Sequence, residues 1–164
     1  MTFWNVSGEK ALQPKRNYRF RLSDSGNTQW FWVKSVDKPS FDVSNNEYQL
    51  INHKFKYPGI ATWKPISITV VDVGSEIDSL HRELLLNGYQ NPSDGVMEGL
   101  AKDYQGLLNQ ITIEQFDGVD GNIVETWTLY GAFLTSLSMS KLDYSSDDLS
   151  EITIEIAYDY AKLT

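Results

Sequence analysis

Apolar and polar residues alternate most regularly near the C-terminal end. Ile152, Ile154, Ile156 and Tyr158 are separated by Thr153, Glu155 and Ala157. Successive strand side chains point to opposite faces, so this run predicts a strand with one buried and one wet face. The same period marks residues 17–22, where Tyr18, Phe20 and Leu22 alternate with Arg19 and Arg21. It marks residues 65–72 as well, with Ile66, Ile68 and Val70 on one face and Ser67, Thr69 and Val71 on the other. Residues 29–36 predict a strand covered on both faces, since Trp30, Phe31, Trp32 and Val33 are consecutive. Residues 107–116 and 123–130 predict two strands joined by the turn-prone DGVDGN. Gly131 invites a bulge or bend. Beyond it Phe133, Leu137 and Met139 stand against Ser136, Ser138 and Ser140 in a further strand. Residues 23–28 read as a turn and 141–150 as an acidic loop.

One stretch has helical spacing. Ile77, Leu80, Leu84 and Leu85 form a stripe over residues 76–87, with Ser75 as the expected cap and Gly88 as the expected stop. Residues 88–105 look like a loop. Residues 1–15 look like an N-terminal arm, because Phe3, Trp4, Val6 and Leu12 follow no usable period. Residues 38–64 are too long for a simple connection. They carry Phe41, Tyr48, Phe55, Tyr57 and Trp63, too aromatic for disorder, and the expectation is a protruding twisted hairpin around Asn45 and Asn46. The sum is one domain over residues 1–164. It is mainly β, an antiparallel β-sandwich or barrel-like core of seven or eight strands with one flanking α-helix.

Composition narrows the function classes. The chain has 164 residues and no cysteine, which removes disulfides, thiolate metal sites and a cysteine nucleophile. The start shows no signal-peptide pattern, and no run is long and apolar enough to predict a membrane-spanning helix. The net charge of -8 disfavours a grip on phosphate backbones. It is unevenly spread: residues 1–64 hold ten Lys/Arg and five Asp/Glu, whereas residues 65–164 hold four and seventeen. Residues 38–64 have four Lys against two acids. Surface solvation explains such a split. So does a pair of complementary surfaces on identical subunits that associate head to tail.

Candidate chemistry is thin. His53 and His81 are the only histidines, and no third ligand at workable spacing makes a metal site with them. Glu114 and Glu125, across the 107–130 hairpin, are a conceivable glycosidase pair, but acidic composition alone supplies such pairs. DGVDGN lacks the closing glutamate of a calcium loop. There is no nucleophile-elbow sequence and no phosphate-cradling glycine loop. The expectation is a non-enzyme with no cofactor. Five Trp, nine Tyr and seven Phe remain, a residue class over-used in interface cores.

The runs VKSVDKP (33–39), YPGIATWKP (57–65), LDYSS (142–146) and YDYA (158–161), set in this succession of elements, resemble the tail tube proteins of contractile-tailed bacteriophages. The related tube proteins of contractile injection systems share the pattern, and the resemblance covers residues 15–162. It implies a structural subunit that forms hexameric rings, which stack into a hollow inner tube within the virion tail, made in the host cytoplasm. Implied partners are further copies of itself, the sheath, and baseplate and tail terminator proteins. DNA would pass through the lumen without specific binding. The implied ring-to-ring contact is the long loop, with Lys38, Pro39, Phe41, Asp42, Lys54, Phe55, Lys56, Tyr57, Pro58 and Trp63 as candidates. Ser67, Thr69, Glu114 and Glu125 are candidate lumen residues, and an acidic lumen would let DNA slide. Two other readings stand beside this one: an inner-tube subunit of a non-phage injection system, and a small acidic β-sandwich that binds carbohydrate on Trp30, Trp32 and Trp63.

Overall fold

The computed structural model of the chain describes residues 15–26, 29–30, 32–74, 107–117 and 121–164. Ten strands lie in these residues: β1 (Phe20–Ser23), β2 (Val33–Val36), β3 (Phe41–Leu50), β4 (His53–Trp63), β5 (Ile66–Val71), β6 (Gln110–Phe116), β7 (Ile123–Tyr130), β8 (Phe133–Met139), β9 (Glu151–Ala157) and β10 (Tyr160–Leu163). A short 3-10 turn, Leu107–Asn109, leads into β6. The expected helix over 76–87, the loop 88–105 and the arm before Lys15 lie outside the described residues.

Two four-stranded antiparallel sheets face each other. The first has the order β1-β6-β7-β10 and the second β2-β5-β9-β8. The alternation marked the inward rows of β5 and β9 and Leu22 of β1. Ile66, Ile68 and Val70 of β5 pair with Ile156, Ile154 and Ile152 of β9. Leu22 of β1, Ile111 and Ile113 of β6 and Leu129 of β7 oppose them, and together they form one core. Ile68, Ile111, Leu129, Ile154 and Ile156 are fully buried. Deleting such a side chain removes apolar burial and leaves a cavity, at a cost of about 2–5 kcal/mol.

The chain changes sheets at one corner near its end. Tyr158 follows β9 and points into the core, while the Asp159 amide donates to the Tyr130 carbonyl at 2.9 Å. β10 then adds to β7, pairing Tyr160 with Tyr130 and Leu163 with Trp127. The alternation predicted β9 but not β10. Gly131, at φ +63°, turns the chain from β7 into β8. That conformation suits glycine.

The long segment is a hairpin, with its turn elsewhere than expected. β3 and β4 form a separate two-stranded sheet from Phe41↔Trp63 to Leu50↔His53. The turn is Ile51–Asn52, whereas Asn45 and Asn46 sit in mid-strand opposite Pro58 and Tyr57. Cross-strand pairs explain the register. Tyr48 faces Phe55 and Glu47 faces Lys56 only if the turn falls beyond Leu50. Ten residues of strand give an arm about 33 Å long.

Candidate assembly surfaces

The arm grows from an aromatic root. Phe41 and Trp63 face each other with ring centroids 4.9 Å apart, and Trp63 meets Tyr158 of the core corner at 5.8 Å. The Lys64 amide donates to the Ser40 carbonyl at 2.9 Å. Pro39 is buried in the approach to the root. Burial raises the Tyr158 phenol pKa, an effect the Ser40 backbone partly offsets. Asp42 at the root is neutralised by Lys64 at 2.9 Å.

Midway along the arm lies a bulge, between Val43↔Ala61 and Asn45↔Pro58. It places Gly59 and Ile60 against Ser44 alone. The Ile60 amide donates to Ser44 Oγ at 2.9 Å. A Cβ on Gly59 would fall 2.1 Å from that oxygen, so only glycine admits the contact. Pro58, which has no amide to give, is tolerated at this irregularity.

Beyond the bulge the arm is two-faced. Leu50, Tyr48 and Asn46 share one side with their partners His53, Phe55 and Tyr57; Glu47 and Gln49 share the other with Lys56 and Lys54. Glu47 pairs with Lys54 at 3.3 Å and more distantly with Lys56 at 4.0 Å. One carboxylate thus serves two ammonium groups, which leaves the distal arm positive. Tyr48, Leu50, Phe55 and Tyr57 are all exposed. At the tip, Ile51 is 83% exposed and has φ +54°. A β-branched residue is strained there, at the first position of a two-residue turn where glycine is favoured.

Strand order fixes which end of the sandwich is which. β4 passes directly into β5, so the start of β5, the end of β9 and the end of β2 lie at the arm's pole. The opposite pole holds the end of β5, the start of β9 and loop 141–150 between β8 and β9. This loop is ordered by its own polar groups. Asp143 accepts from the Ser145 hydroxyl at 2.7 Å, from the Ser145 amide at 3.0 Å and from Lys141 at 3.3 Å. Those bonds, the hydroxyl first, hold its carboxyl below the ordinary range. Ser140 accepts from the Glu151 amide, which closes the loop's base. Leu142, Tyr144 and Leu149 all stand out into solvent.

The outer face of the second sheet is a field of small hydroxyls. Ser35 pairs with Thr69, Thr69 with Thr153, Thr153 with Ser138, and Ser67 and Ser136 both with Glu155. The expected lumen residues Ser67 and Thr69 belong here. Glu114 does not: it is on the outer face of the first sheet, held by Arg21 Nε at 2.6 Å and Nη2 at 2.5 Å.

Glu125 is placed differently from the expectation. It pairs with Gln115 on the inward side, and its side chain is only 12% exposed. It takes Lys15, Lys38 at 3.0 Å and the Trp127 indole at 2.5 Å, and Lys38 also donates to Gln115 at 2.7 Å. These contacts, Lys15 foremost, outweigh its partial burial and lower its pKa to about 2. Glu125 therefore fastens the segment before β1 and the approach to the arm onto β7, and is no free surface carboxylate. Glu114 and Glu125 lie on opposite faces of one sheet and so form no catalytic pair. Nor do Trp30, Trp32 and Trp63 form a common platform. Trp30 packs on the core, Trp32 lies beside Val71 at the far pole, and Trp63 sits at the arm's root. Among the described residues no group of three or more His, Cys, Asp or Glu is placed to hold a metal, and no helix is long and apolar enough to cross a membrane.

No protein-family model and no curated protein sequence matches the chain. Solved structures do. The anti-feeding prophage cap, described as the AFP tube terminating cap, has a TM-score of 0.74 at 19% identity, over 100% of this chain and 99% of that one. The PVC sheath/tube terminator of an extracellular contractile injection system, in its extended state, has 0.71 at 21% identity, over 94% and 99%. The PVC sheath–tube complex of such a system has 0.63 at 21% identity, over 92% and 91%. At these identities the likeness is one of fold, and the chain has the tail-tube fold.

Proposed function

We propose that the chain is a structural subunit of the inner tube of a contractile injection system. Copies associate side by side into hexameric rings, and rings stack into a hollow conduit surrounded by a sheath and joined to baseplate and terminator proteins. The observation that carries this reading is the arm: a hairpin about 33 Å long, about twice as long as an average strand needs, whose distal aromatic face no described part of the chain covers. An isolated two-stranded hairpin is marginal in water, so a second surface to rest on is its physical requirement. The second sheet's hydroxyl face supports a lumen role for Ser67 and Thr69, joined by Ser136, Ser138 and Thr153. Short neutral side chains leave cargo little to adhere to. Only Glu155 is acidic and without a lysine partner there, since Lys34 pairs with Glu151 at 2.5 Å. The lumen would thus be weakly charged, which fits passage of protein cargo as well as the DNA passage of a phage tail.

Negative-stain electron microscopy of the purified protein tests the proposal. Rings with a central hole, or tubes, are expected; a protein that stays monomeric at high concentration refutes it. A second reading places the subunit at the tube's end, because the likeness to the terminating cap exceeds that to the sheath–tube complex. Long tubes support the tube body, and rings that never elongate support the terminus.

A further inference from the structure

We infer that residues 1–14 of the chain close a cleft at the side of their own sandwich, with Leu12 seated on its floor. The cleft measures about 540 Å³ and opens between β2, the edge strand of the second sheet, and the inward face of the first sheet. Its floor is two cross-strand rows: Phe20, Gln115 and Glu125 in one, Ile113 and Trp127 in the other. Val36 forms the facing wall. Clefts of about 300–1,000 Å³ are the size that holds a ligand.

The chemistry of the cleft selects an apolar occupant, because its polar side chains are engaged with one another. Gln115 accepts from Lys38 at 2.7 Å and donates to the Arg16 carbonyl at 3.1 Å. Glu125 takes Lys15, Lys38 and the Trp127 indole. Asp37 accepts from the Ser67 amide at 3.2 Å, and Lys34 pairs with Glu151. A sugar or an ion would have to break these bonds to make its own, with little net gain. Phe20, Val36 and Trp127, each half-buried, are what remains to be covered.

The chain supplies such an occupant at the rim. Lys15 on Glu125 and the Arg16 carbonyl on Gln115 bring the start of the described chain to the edge of the cleft. Three residues span at most about 10 Å, so Leu12 is within reach of the floor. Gln13 precedes Pro14 and is held to extended backbone, which keeps that reach. Phe3, Trp4 and Val6 stand further along the same segment. Its only charged side chains are Glu9 and Lys10, so it brings no net charge to a mouth whose charges are paired. The tether also gives it an effective concentration of the order of millimolar, which a free ligand would have to outcompete. Lys38 belongs both to the rim of the cleft and to the approach to the arm. The seated segment therefore braces the arm's base from below. This inference stands apart from the tube reading, since it concerns contacts within one subunit.

The absence of native cysteine makes the test direct. A Leu12→Cys, Val36→Cys protein is treated at high dilution with a short thiol-to-thiol crosslinker. The expected product is an internally crosslinked monomer, in excess over that from a Leu12→Cys, Ser138→Cys control, whose second cysteine lies on the outer face of the second sheet. Equal yields from the two proteins would overturn the inference. Crosslinked dimers in place of the monomer would overturn it as well, because the segment would then sit on a neighbouring copy. Val36 packs against the core, so Leu12→Asp provides a second measurement that leaves the cleft itself unchanged. It should speed amide exchange at least about tenfold in residues 15–20 and 36–38, with β9 unaffected. If exchange in 36–38 stays at the parent's rate, the segment is not what covers the cleft.

Discussion

Glu125→Gln isolates the clamp that holds the arm's approach to the sandwich. In the folded chain Lys15, Lys38 and the Trp127 indole bring the Glu125 carboxyl from its ordinary 4.5 to about 2. At about 1.4 kcal/mol per pH unit, the full linkage is about 3.5 kcal/mol. Lys15 and Lys38 are half-exposed, so water screens both pairs. The stabilisation that survives is about 1–2 kcal/mol. Its pH dependence has a definite sign. A carboxyl whose pKa is depressed by folding contributes in full above the unfolded value, near 4.5. The contribution is lost as pH falls towards 2. Urea unfolding of dilute parent and Glu125→Gln proteins, from pH 7 to pH 2, measures this directly. The expected result is a variant less stable by about 1–2 kcal/mol at pH 7, with the gap closing between pH 4.5 and 2. A gap that is absent at pH 7, or that stays constant to pH 2, would refute the clamp and return Glu125 to the ordinary surface carboxylates.

Other outcomes follow from single contacts. Gly59→Ala drives a methyl into Ser44 Oγ and breaks its bond to the Ile60 amide, at about 1–3 kcal/mol. Hydrogen exchange should quicken in the arm and not in β5 or β9, and Gly59→Ala with Ser44→Ala should recover part of the loss. Ile154→Ala, at a fully buried core position, should lower unfolding stability by about 2–5 kcal/mol without altering ring geometry under the microscope. Lys54→Glu with Lys56→Glu should make stacking weaker at low salt and flatten its salt dependence; unchanged sedimentation across salt would exclude an electrostatic contribution from the arm. For the lumen, Ser67→Cys in assembled tubes should react with a small thiol reagent and resist a bulky one. Equal reactivity with both would place Ser67 on an outer surface.

Alternation alone reports burial in β1, β5 and β9, and with it the core row from Ile66 to Ile156. A side chain every second position must face either the core or water, so period alone carries that information. The sequence also pointed to the fold, since the runs 33–39, 57–65, 142–146 and 158–161 resemble tail tube proteins and the structure has the tail-tube fold. What the sequence left to tertiary structure has a physical cause in each case. Asn45 and Asn46 read as a turn because the apolar row changes phase there, from Phe41 and Val43 to Tyr48 and Leu50. In the folded chain that change moves the apolar row to the arm's other face, and the cross-strand pairs put the turn at Ile51–Asn52. β10 was invisible because Tyr-Ala-Lys-Leu is too short to show a period, and pairing with β7 alone makes it a strand. Glu125 and Glu114 look alike in the chain. Only the sheet's two faces, with lysines arriving from Lys15 and Lys38 on one and Arg21 on the other, give them different roles. The two poles are likewise a property of strand order, which no local pattern encodes: the arm leaves one end of the second sheet and loop 141–150 closes the other.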